Sequence, residues 1–359
     1  MRARSRLIHV LAATFALSGC SSIGPATIKR DRTDYSTAMA SSWKEMQLLN
    51  IVKFRYFDPP VFLDVSSVVS QQELDGQASL TARIVPEPLA TATRDYQQVD
   101  AQSRYTDRPT VSYTPITGDR FINMLLRPIP PATVFSMLDT GHVASFILWL
   151  AVSSINGLYN YSLGPERAHA EDPKFHELVQ AMRRIQQAGA MAARTKQVGN
   201  RATTTVFFRR HAKASVERDI RRVKSLLGLD PGRDEFKVTG EPRHTPLEIA
   251  VVARSMQEIL VELAAGVDVP AEEVAEGHAT RVPNIDADRK PGPLIHIYSG
   301  PARPGDAYSA VFYRDRWYWI DDGDLRSKRV FMFLMIFYAL SESRAIPQAP
   351  IVTISASGR

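Results

Sequence analysis

The spacing of apolar residues predicts helices and short strands that alternate along the chain without an internal repeat. From Tyr35 to Leu49 the apolar positions recur at steps of three and four, so an amphipathic helix is predicted over 34–55. Apolar and polar residues then alternate on both sides of Asp75-Gly76, a pair that suits a tight turn. This pattern predicts a β-hairpin near residues 61–85.

The segment after this hairpin, 86–117, shows no periodicity. It carries four prolines and three tyrosines. An uninterrupted loop of that length is uncommon in a compact domain, and such loops are either functional or disordered. The sequence leaves open whether this one is a functional loop or a surface excursion.

Helical spacing dominates the middle of the chain. A helix is predicted to start at Pro130-Pro131, and others are predicted over 142–159, 172–189 and 213–227. A β-type run, 203–208, lies between the last two. The helix over 213–227 has a basic outer face that either meets anionic lipid heads or glycans or is simply solvated; we favour the solvated face.

The C-terminal third is the most apolar part of the chain. Thr245-Pro246-Leu247-Glu248 matches a capping box and predicts a helix to about residue 265. Residues 268–293 are predicted as a loop. The remaining predicted elements are a strand over 294–298, a hairpin over 307–320, a helix over 325–341 and a closing strand over 351–354. The helix is capped by Asp324 and contains the run VFMFLMIFYAL, which is apolar on nearly every side.

Together these elements predict an α+β fold. We expect a single mixed body, with β-hairpins near residues 61–85 and 307–320, packed by amphipathic and buried helices. The body is assigned to residues 33–357, and a division into lobes 33–165 and 170–357 stays open.

The first twenty residues have the layout of an export signal. Three arginines precede a short apolar run, and Leu17-Ser18-Gly19-Cys20 follows it. This tetrapeptide is similar to the lipobox of bacterial lipoproteins. The similarity implies cleavage after Gly19, which makes 1–19 a signal peptide, and acylation of Cys20 with diacylglycerol, the palmitate-type anchor of that class. The alternative is a soluble periplasmic protein with an incidental cysteine.

The position of Cys20 favours the anchor over that alternative, because it is the only cysteine in the chain. Several acyl chains give stable anchoring, since each buried CH₂ contributes about 0.8 kcal/mol. Residues 20–32 are predicted as a polar tether. In this class an Asp after the cysteine favours the inner membrane, so Ser21 favours a lipid anchor at the periplasmic face of the outer membrane.

Charge and composition narrow the range of partners. Removing residues 1–19 takes away three arginines and no acidic residue, which lowers the net charge from +6 to +3. This small excess of positive charge on an exported protein excludes nucleic acid as a partner. The predicted partners are the membrane, through Cys20, and a protein of the cell envelope; the sequence says nothing about oligomeric state.

Two constellations in the C-terminal part could bind a ligand. Asp321, Asp322 and Asp324 cluster around a glycine, and grouped carboxylates bind hard cations or perform acid–base chemistry. Trp317 and Trp319 precede them, and aromatic faces stack on sugars. Both groups also have a structural explanation, as turn and cap residues and as the core of a sheet, which we favour.

No catalytic motif is recognisable. His176-Glu177 begins like the zinc-protease helix motif, but Gln180 stands where its second histidine would be. The chain has no nucleophile-elbow serine and no glycine-rich phosphate loop. We predict no metal and no cofactor, although a triad built from distant segments stays open.

Three longer segments of the sequence resemble a known group of proteins. They are SWKEMQLLNIVKFRYFDPPVFLDVSSVVS (42–70), RPTVSYTPITGDRF followed by RPIPPATVF (108–135), and RPGDAYSAVFYRDRWYWIDDGDLRSKRVF (303–331). They resemble a group of uncharacterised bacterial envelope lipoproteins, and the resemblance implies one continuous unit but no activity.

The sequence therefore favours a lipid-anchored envelope protein with a non-catalytic binding or assembly role. The alternative is a hydrolase acting on envelope glycan or lipid, with the aspartates and tryptophans lining its site.

Overall fold

Two compact units make up the described part of the chain. The computed structural model describes residues 23–69, 72–83, 96–107, 110–139, 143–164, 168–198, 201–209, 213–241, 245–282 and 293–342. The larger unit holds the described residues before Val61 and those from Asp119 onward, and the smaller one runs from Val61 to Gly118. The lobe division left open between 165 and 170 falls inside the larger unit. The predicted signal, Cys20 and the closing strand over 351–354 lie outside the described residues.

The mixed α+β fold class is confirmed. None of the described helices combines the length and the hydrophobicity needed to cross a membrane.

Antiparallel strands form the smaller unit. Strand β1 (Leu63–Val69) pairs with β4 (Thr110–Pro115), and β2 (Gln72–Arg83) pairs with β3 (Tyr96–Asp107). Strands do lie within 61–85, but each of them pairs with a strand beyond residue 95.

Two expectations for this unit are wrong. Asp75 and Gly76 form no turn, because they lie inside β2, opposite Arg104 and Ser103. The segment 86–117 is no continuous loop, because it contains β3 and β4. These strands are rich in Gln, Asp, Ser and Thr, and all of β4 is exposed, so no alternating apolar signal marks them.

Helix α1 (Ile23–Arg55) opens the larger unit. It begins well before the predicted start at residue 34, so most of the predicted tether is helical. Pro25 lies in the first turn, where its missing N–H has no helical partner to lose. The C-terminal half carries Leu48, Ile51 and Val52, which are fully buried, whereas none of residues 32–43 is buried.

A six-stranded sheet in the order β6-β5-β10-β9-β8-β7 forms the centre of this unit. Its β9–β10 pair is parallel and its other pairs are antiparallel. The strands are β5 (Val152–Ile155), β6 (Leu158–Tyr159), β7 (Met191–Val198), β8 (Arg201–Phe208), β9 (Glu235–Thr239) and β10 (Glu248–Ala253).

Helices surround this sheet, and helix α3 contacts four of its strands. The helices that were predicted over 172–189 and 213–227 are confirmed as α5 and α6, and the start predicted at Pro130-Pro131 is confirmed at α3. The helices are α2 (Gly118–Leu125), α3 (Pro131–Asp139), α4 (Ala144–Ala151), α5 (Pro173–Gln187), α6 (Ala214–Leu226), α7 (Met256–Ala264) and α8 (Ala271–Ala275).

Two predicted helices are partly strand. The helix over 142–159 ends at Ala151, because β5 and β6 follow it as a hairpin through Asn156-Gly157, both at positive φ. The capping box at Thr245 does not start a helix. Strand β10 follows it instead, and the capping box of α7 is formed by Ser255 and Glu258.

A three-stranded antiparallel sheet completes the larger unit, in the order β11-β13-β12. It contains β11 (Tyr298–Gly300), β12 (Ala307–Tyr313) and β13 (Arg316–Asp321), and helix α9 (Leu325–Glu342) follows. The hairpin predicted over 307–320 is confirmed, with Arg314 and Asp315 at positive φ in its turn. Tyr318, in β13, is fully buried.

Candidate functional site

The aspartate cluster is engaged in local structure between β13 and α9. Asp321 Oδ1 accepts the Gly323 N–H at 2.8 Å, which closes the turn. Asp322 Oδ1 lies 2.6 Å from Lys328 Nζ. Asp324 Oδ1 accepts the N–H groups of Arg326 and Ser327 at 3.0 Å each, so it caps α9. The three carboxylates therefore point to a turn and a helix cap rather than to a shared ligand.

The cap at Asp324 makes a prediction about acid stability. Partial burial alone would raise the pKa of Asp324, but hydrogen bonds from the Ser327 hydroxyl and from the Ser327 and Arg326 N–H groups outweigh it and lower the pKa. Stability from this cap is complete above the unfolded-state pKa near 4, and it is lost as pH falls through the lower folded-state value. We expect Asp324→Ala to cost about 1 kcal/mol at pH 7.

The matching variant Asp324→Asn keeps an oxygen acceptor but does not titrate. We expect it to retain most of the stability at pH 7 and to show a smaller loss below about pH 4 than the parent. Urea unfolding from pH 7 to 2 measures this, with the exposed Asp306→Asn as control. Identical pH profiles for the parent and Asp324→Asn would contradict the capping role.

Trp317 and Trp319 share one face of the three-stranded sheet. Trp319 lies opposite Tyr298 in the register, and their rings stack with centroids 5.8 Å apart. Trp317 lies opposite Phe312, with centroids 5.4 Å apart. Both tryptophans are half-buried. The structure thus packs these tryptophans against neighbouring aromatic rings.

A cleft in the larger unit, about 1170 Å³ in volume, is the stronger candidate for a site. None of the five sequence-predicted binding residues lines it. Its floor is one face of the central sheet, where Tyr159, Ser154 and Val252 stand in register across β6, β5 and β10. Its walls are helix α7, the segments 160–164 and 280–282, and the end of α1 with the loop 56–60.

Four large apolar side chains that remain exposed converge on this cleft. They are Phe57, Tyr159, Leu126 and Val252, with exposed fractions of 70%, 58%, 48% and 38%. Clefts that bind small molecules are lined mainly by apolar and aromatic groups with a few polar ones. Clustered exposed apolar groups of this kind mark a surface that binds a ligand or partner.

The end of α1 holds Phe57 at the rim of the cleft. Asp58 N donates to Lys53 O at 2.9 Å, which closes the helix with the bond pattern of a Schellman motif. Phe57 takes the left-handed position that glycine usually fills there, with φ of 59°. A non-glycine residue in this conformation is strained, and such strain persists where the surroundings fix it, often at functional sites.

A group of tyrosines fixes the residues on either side of Phe57. Tyr56 Oη and Tyr318 Oη are 2.6 Å apart, and Tyr313 Oη donates to Asp58 Oδ2. Burial, together with the Asp58 carboxylate, raises the pKa of Tyr313 to about 12, so its hydroxyl stays a donor at neutral pH. Burial and the contact with Tyr318 also raise the pKa of Tyr56.

Arg254 anchors the opposite wall of the cleft. This side chain is 2% exposed, and its Nη1 donates to the carbonyl oxygens of Trp149 and Leu150 at 2.8 and 3.3 Å. These are carbonyls of the last turn of α4, where a cation is favourable. Nη2 donates to Tyr161 O and lies 3.8 Å from Glu262 Oε1.

Glu262 holds the adjoining strip of the wall. Its carboxylate accepts from Ser162 Oγ at 2.9 Å and from Leu163 N at 3.0 and 3.1 Å. Arg254 and Glu262 thereby fix residues 161–163 to α7 and to the end of α4. This arrangement gives the cleft a rigid polar edge.

Two polar side chains of the cleft have partners within the described part of the chain. Ser162 Oγ donates to Glu262, while His169 Nδ1 lies 3.2 Å from Ala170 O. Among the described residues, no serine–histidine hydrogen bond of the kind that activates a nucleophile joins them. The described part of the chain also contains no group of three residues placed to hold a metal ion.

Sequence reasoning missed the cleft, because its lining comes from segments far apart in the chain. Two local signals pointed towards it. Asp58-Pro59-Pro60 marks the abrupt end of α1, and Asn156-Gly157 marks the hairpin that supplies the floor. No protein-family model, no curated protein and no solved structure matches this chain.

Proposed function

We propose that this protein is a lipid-anchored component of the cell envelope with a non-catalytic binding role, at the periplasmic face of the outer membrane. The observation that carries the binding role is the convergence of four exposed apolar side chains on one cleft. The proposed anchor is Cys20, in the lipobox-like Leu17-Ser18-Gly19-Cys20.

Helix α1 supports a connection between this anchor and the cleft. It begins at Ile23, three residues after Cys20, and its last turn lines the cleft with Phe54 and Arg55. A helix of 33 residues spans about 50 Å at 1.5 Å per residue. The length of α1 would therefore set the distance between the cleft and the lipid surface.

The hydrolase alternative has little support. Asp321, Asp322 and Asp324 are engaged in a turn, an ion pair and a helix cap, and none of them lines the cleft.

Replacing Cys20 with alanine tests the anchor. We expect Cys20→Ala to lose labelling by radioactive palmitate and to appear in the soluble periplasmic fraction, because no thiol remains to carry the lipid. Metabolic labelling and membrane fractionation measure this, with Ser22→Ala as the control that keeps both properties. Unchanged labelling and membrane retention in Cys20→Ala would refute the anchor.

An assembly role at the cleft can be tested separately. A photo-crosslinking amino acid at Phe57, which is 70% exposed at the rim, reports what occupies the cleft in cells. A protein that crosslinks there, but not from an exposed residue of α6 such as Arg218, would make this protein an accessory subunit. Crosslinks to lipid alone would identify a small-molecule binding protein instead.

A further inference from the structure

Arg55 is a buried cation that no carboxylate of the described residues pairs with. Arg55 is one of the residues that line the cleft, and it is only 7% exposed. Nη1 donates to the carbonyl oxygen of Thr280 and, at 2.9 Å, to Thr280 Oγ1. Both acceptors are neutral. Nε is buried, and no group in the described part of the chain accepts a hydrogen bond from it.

An unpaired charge at such a site is unfavourable. Among the described residues no carboxylate lies within ion-pair distance of Arg55, and burial lowers the pKa of its guanidinium. Removing a charge from water is unfavourable unless an opposite charge or hydrogen bonds replace the water. A ligand that brings a negative charge to Arg55 would supply this compensation.

The carboxylates that line the cleft are engaged with groups other than Arg55. Asp58 accepts from Tyr313, Glu258 closes the capping box of α7, and Glu262 pairs with Arg254. Arg281 is exposed, follows Thr280 in the chain and has no acidic partner in the part of the chain that the structure describes. The described lining of the cleft therefore holds three arginines and three carboxylates, and Arg55 and Arg281 are the two arginines that no carboxylate pairs with.

We propose that the cleft binds an anionic amphiphile, a molecule with a carboxylate or phosphate head and an apolar chain. The head lies at Arg55 and Arg281, and the chain lies against Phe57, Leu126 and Val252. Guanidinium groups bind both carboxylates and phosphates through paired N–H donors, and the apolar side chains offer no partner for further polar groups. This inference rests on the proposed role of the cleft as a binding site.

Binding of ligands with one chain and different heads tests the inference. The full-length chain carrying Cys20→Ala is dialysed against radiolabelled dodecanoate, dodecyl phosphate, dodecanol or dodecyltrimethylammonium. We expect both anions to bind at least tenfold more tightly than dodecanol, and the cation to bind most weakly. Tighter binding of dodecanoate identifies a carboxylate lipid as the natural ligand, and tighter binding of dodecyl phosphate identifies a phosphate lipid.

Replacing each arginine tests whether Arg55 and Arg281 bind the anionic head of the ligand. We expect Arg55→Gln and Arg281→Gln each to weaken dodecanoate binding about tenfold and to leave dodecanol binding unchanged. Arg281 is exposed, so its replacement leaves the fold intact even if Arg55→Gln proves unstable. Arg218→Gln, an exposed arginine outside the cleft, is the matched control and should change neither ligand.

The outcomes separate this inference from the proposed function. Equal binding of dodecanoate and dodecanol, both lost in Phe57→Ser, would overturn the anionic head and keep the cleft as a binding site. Anion selectivity that survives both arginine variants would also overturn the assignment. No binding of any of the four ligands, together with no crosslink from Phe57 in cells, would remove both proposals.

Discussion

Replacing Gly266 with alanine should lower the free energy of unfolding of the larger unit by about 3 kcal/mol, the upper end of the usual cost of overpacking. A Cβ atom at this position would stand 2.0 Å from Ile295 O and 3.0 Å from Ile295 C. Both are backbone atoms, so no side-chain rotation can relieve the overlap. The segment before β11 would have to move away from the end of α7.

That movement would break backbone hydrogen bonds that join these segments. Ile297 N donates to Gly266 O at 2.8 Å, and Asp268 N donates to Ile297 O at 2.9 Å. The matched control is Gly305→Ala, because a Cβ at Gly305 meets nothing within 4 Å. Both variants replace a glycine by alanine and so restrict the unfolded chain equally. The difference between their free energies of unfolding in urea therefore measures the cost of the contact between the new Cβ and Ile295. Equal stability of the two would contradict the close approach.

The elements that could be predicted from sequence carry their signals within a few residues. The hairpin over 307–320 has two alternating runs around a short turn, and the last helix has Asp324 as its cap and the apolar run 330–340 within it. Helix α5 likewise begins with Asp172 as its cap and Pro173 at its first position. In each case local chemistry and tertiary packing favour the same structure.

The predictions are wrong where residues far away in the chain determine the local structure. The apolar run before residue 152 continues in sequence into β5, and the end of α4 is set by side chains from elsewhere. Asn160 Nδ2 donates to Trp149 O at 2.9 Å, and Arg254 donates to the same carbonyl. Asn156-Gly157 is a hairpin signal within this run, and the helical spacing of the apolar residues obscures it.

The candidate site was beyond sequence reasoning for a related reason. The clustered aspartates and tryptophans stand out in the sequence because they are neighbours in the chain. Arg55, Thr280 and Arg254 do not, because they meet only after α1, α7 and the central sheet have packed. An unpaired buried arginine is visible only once its surroundings are known.

Removing either charge of the Arg254–Glu262 pair should be the most costly change at the cleft. Both side chains are at most 5% exposed, so each variant leaves the other charge buried and uncompensated. We expect Arg254→Met and Glu262→Met each to lower the free energy of unfolding by about 3–5 kcal/mol. Arg254→Met also leaves the Tyr161 carbonyl without this donor.

The double variant distinguishes coupling from independent effects. With both charges gone, no uncompensated charge remains, so its cost should fall well below the sum of the two single costs. The exposed pair Arg184–Asp219 is the contrast: its Nη2–Oδ1 distance of 2.8 Å is shorter, yet Arg184→Met should cost only about 0.5 kcal/mol. If the losses of unfolding free energy in the two single variants add up to the loss in the double variant, Arg254 and Glu262 stabilise the protein independently.

Hydrogen exchange would connect this loss of stability to the cleft. The Leu163 N–H donates to both oxygens of the Glu262 carboxylate, at 3.1 and 3.0 Å, so Glu262→Met frees this amide at the cleft wall. Its protection should fall by more than the global change in stability accounts for, because residues 161–163 lose their attachment to α7. The amides of α5, away from the cleft, should follow the global change alone. A uniform loss of protection would mean that the pair supports the fold without shaping the cleft.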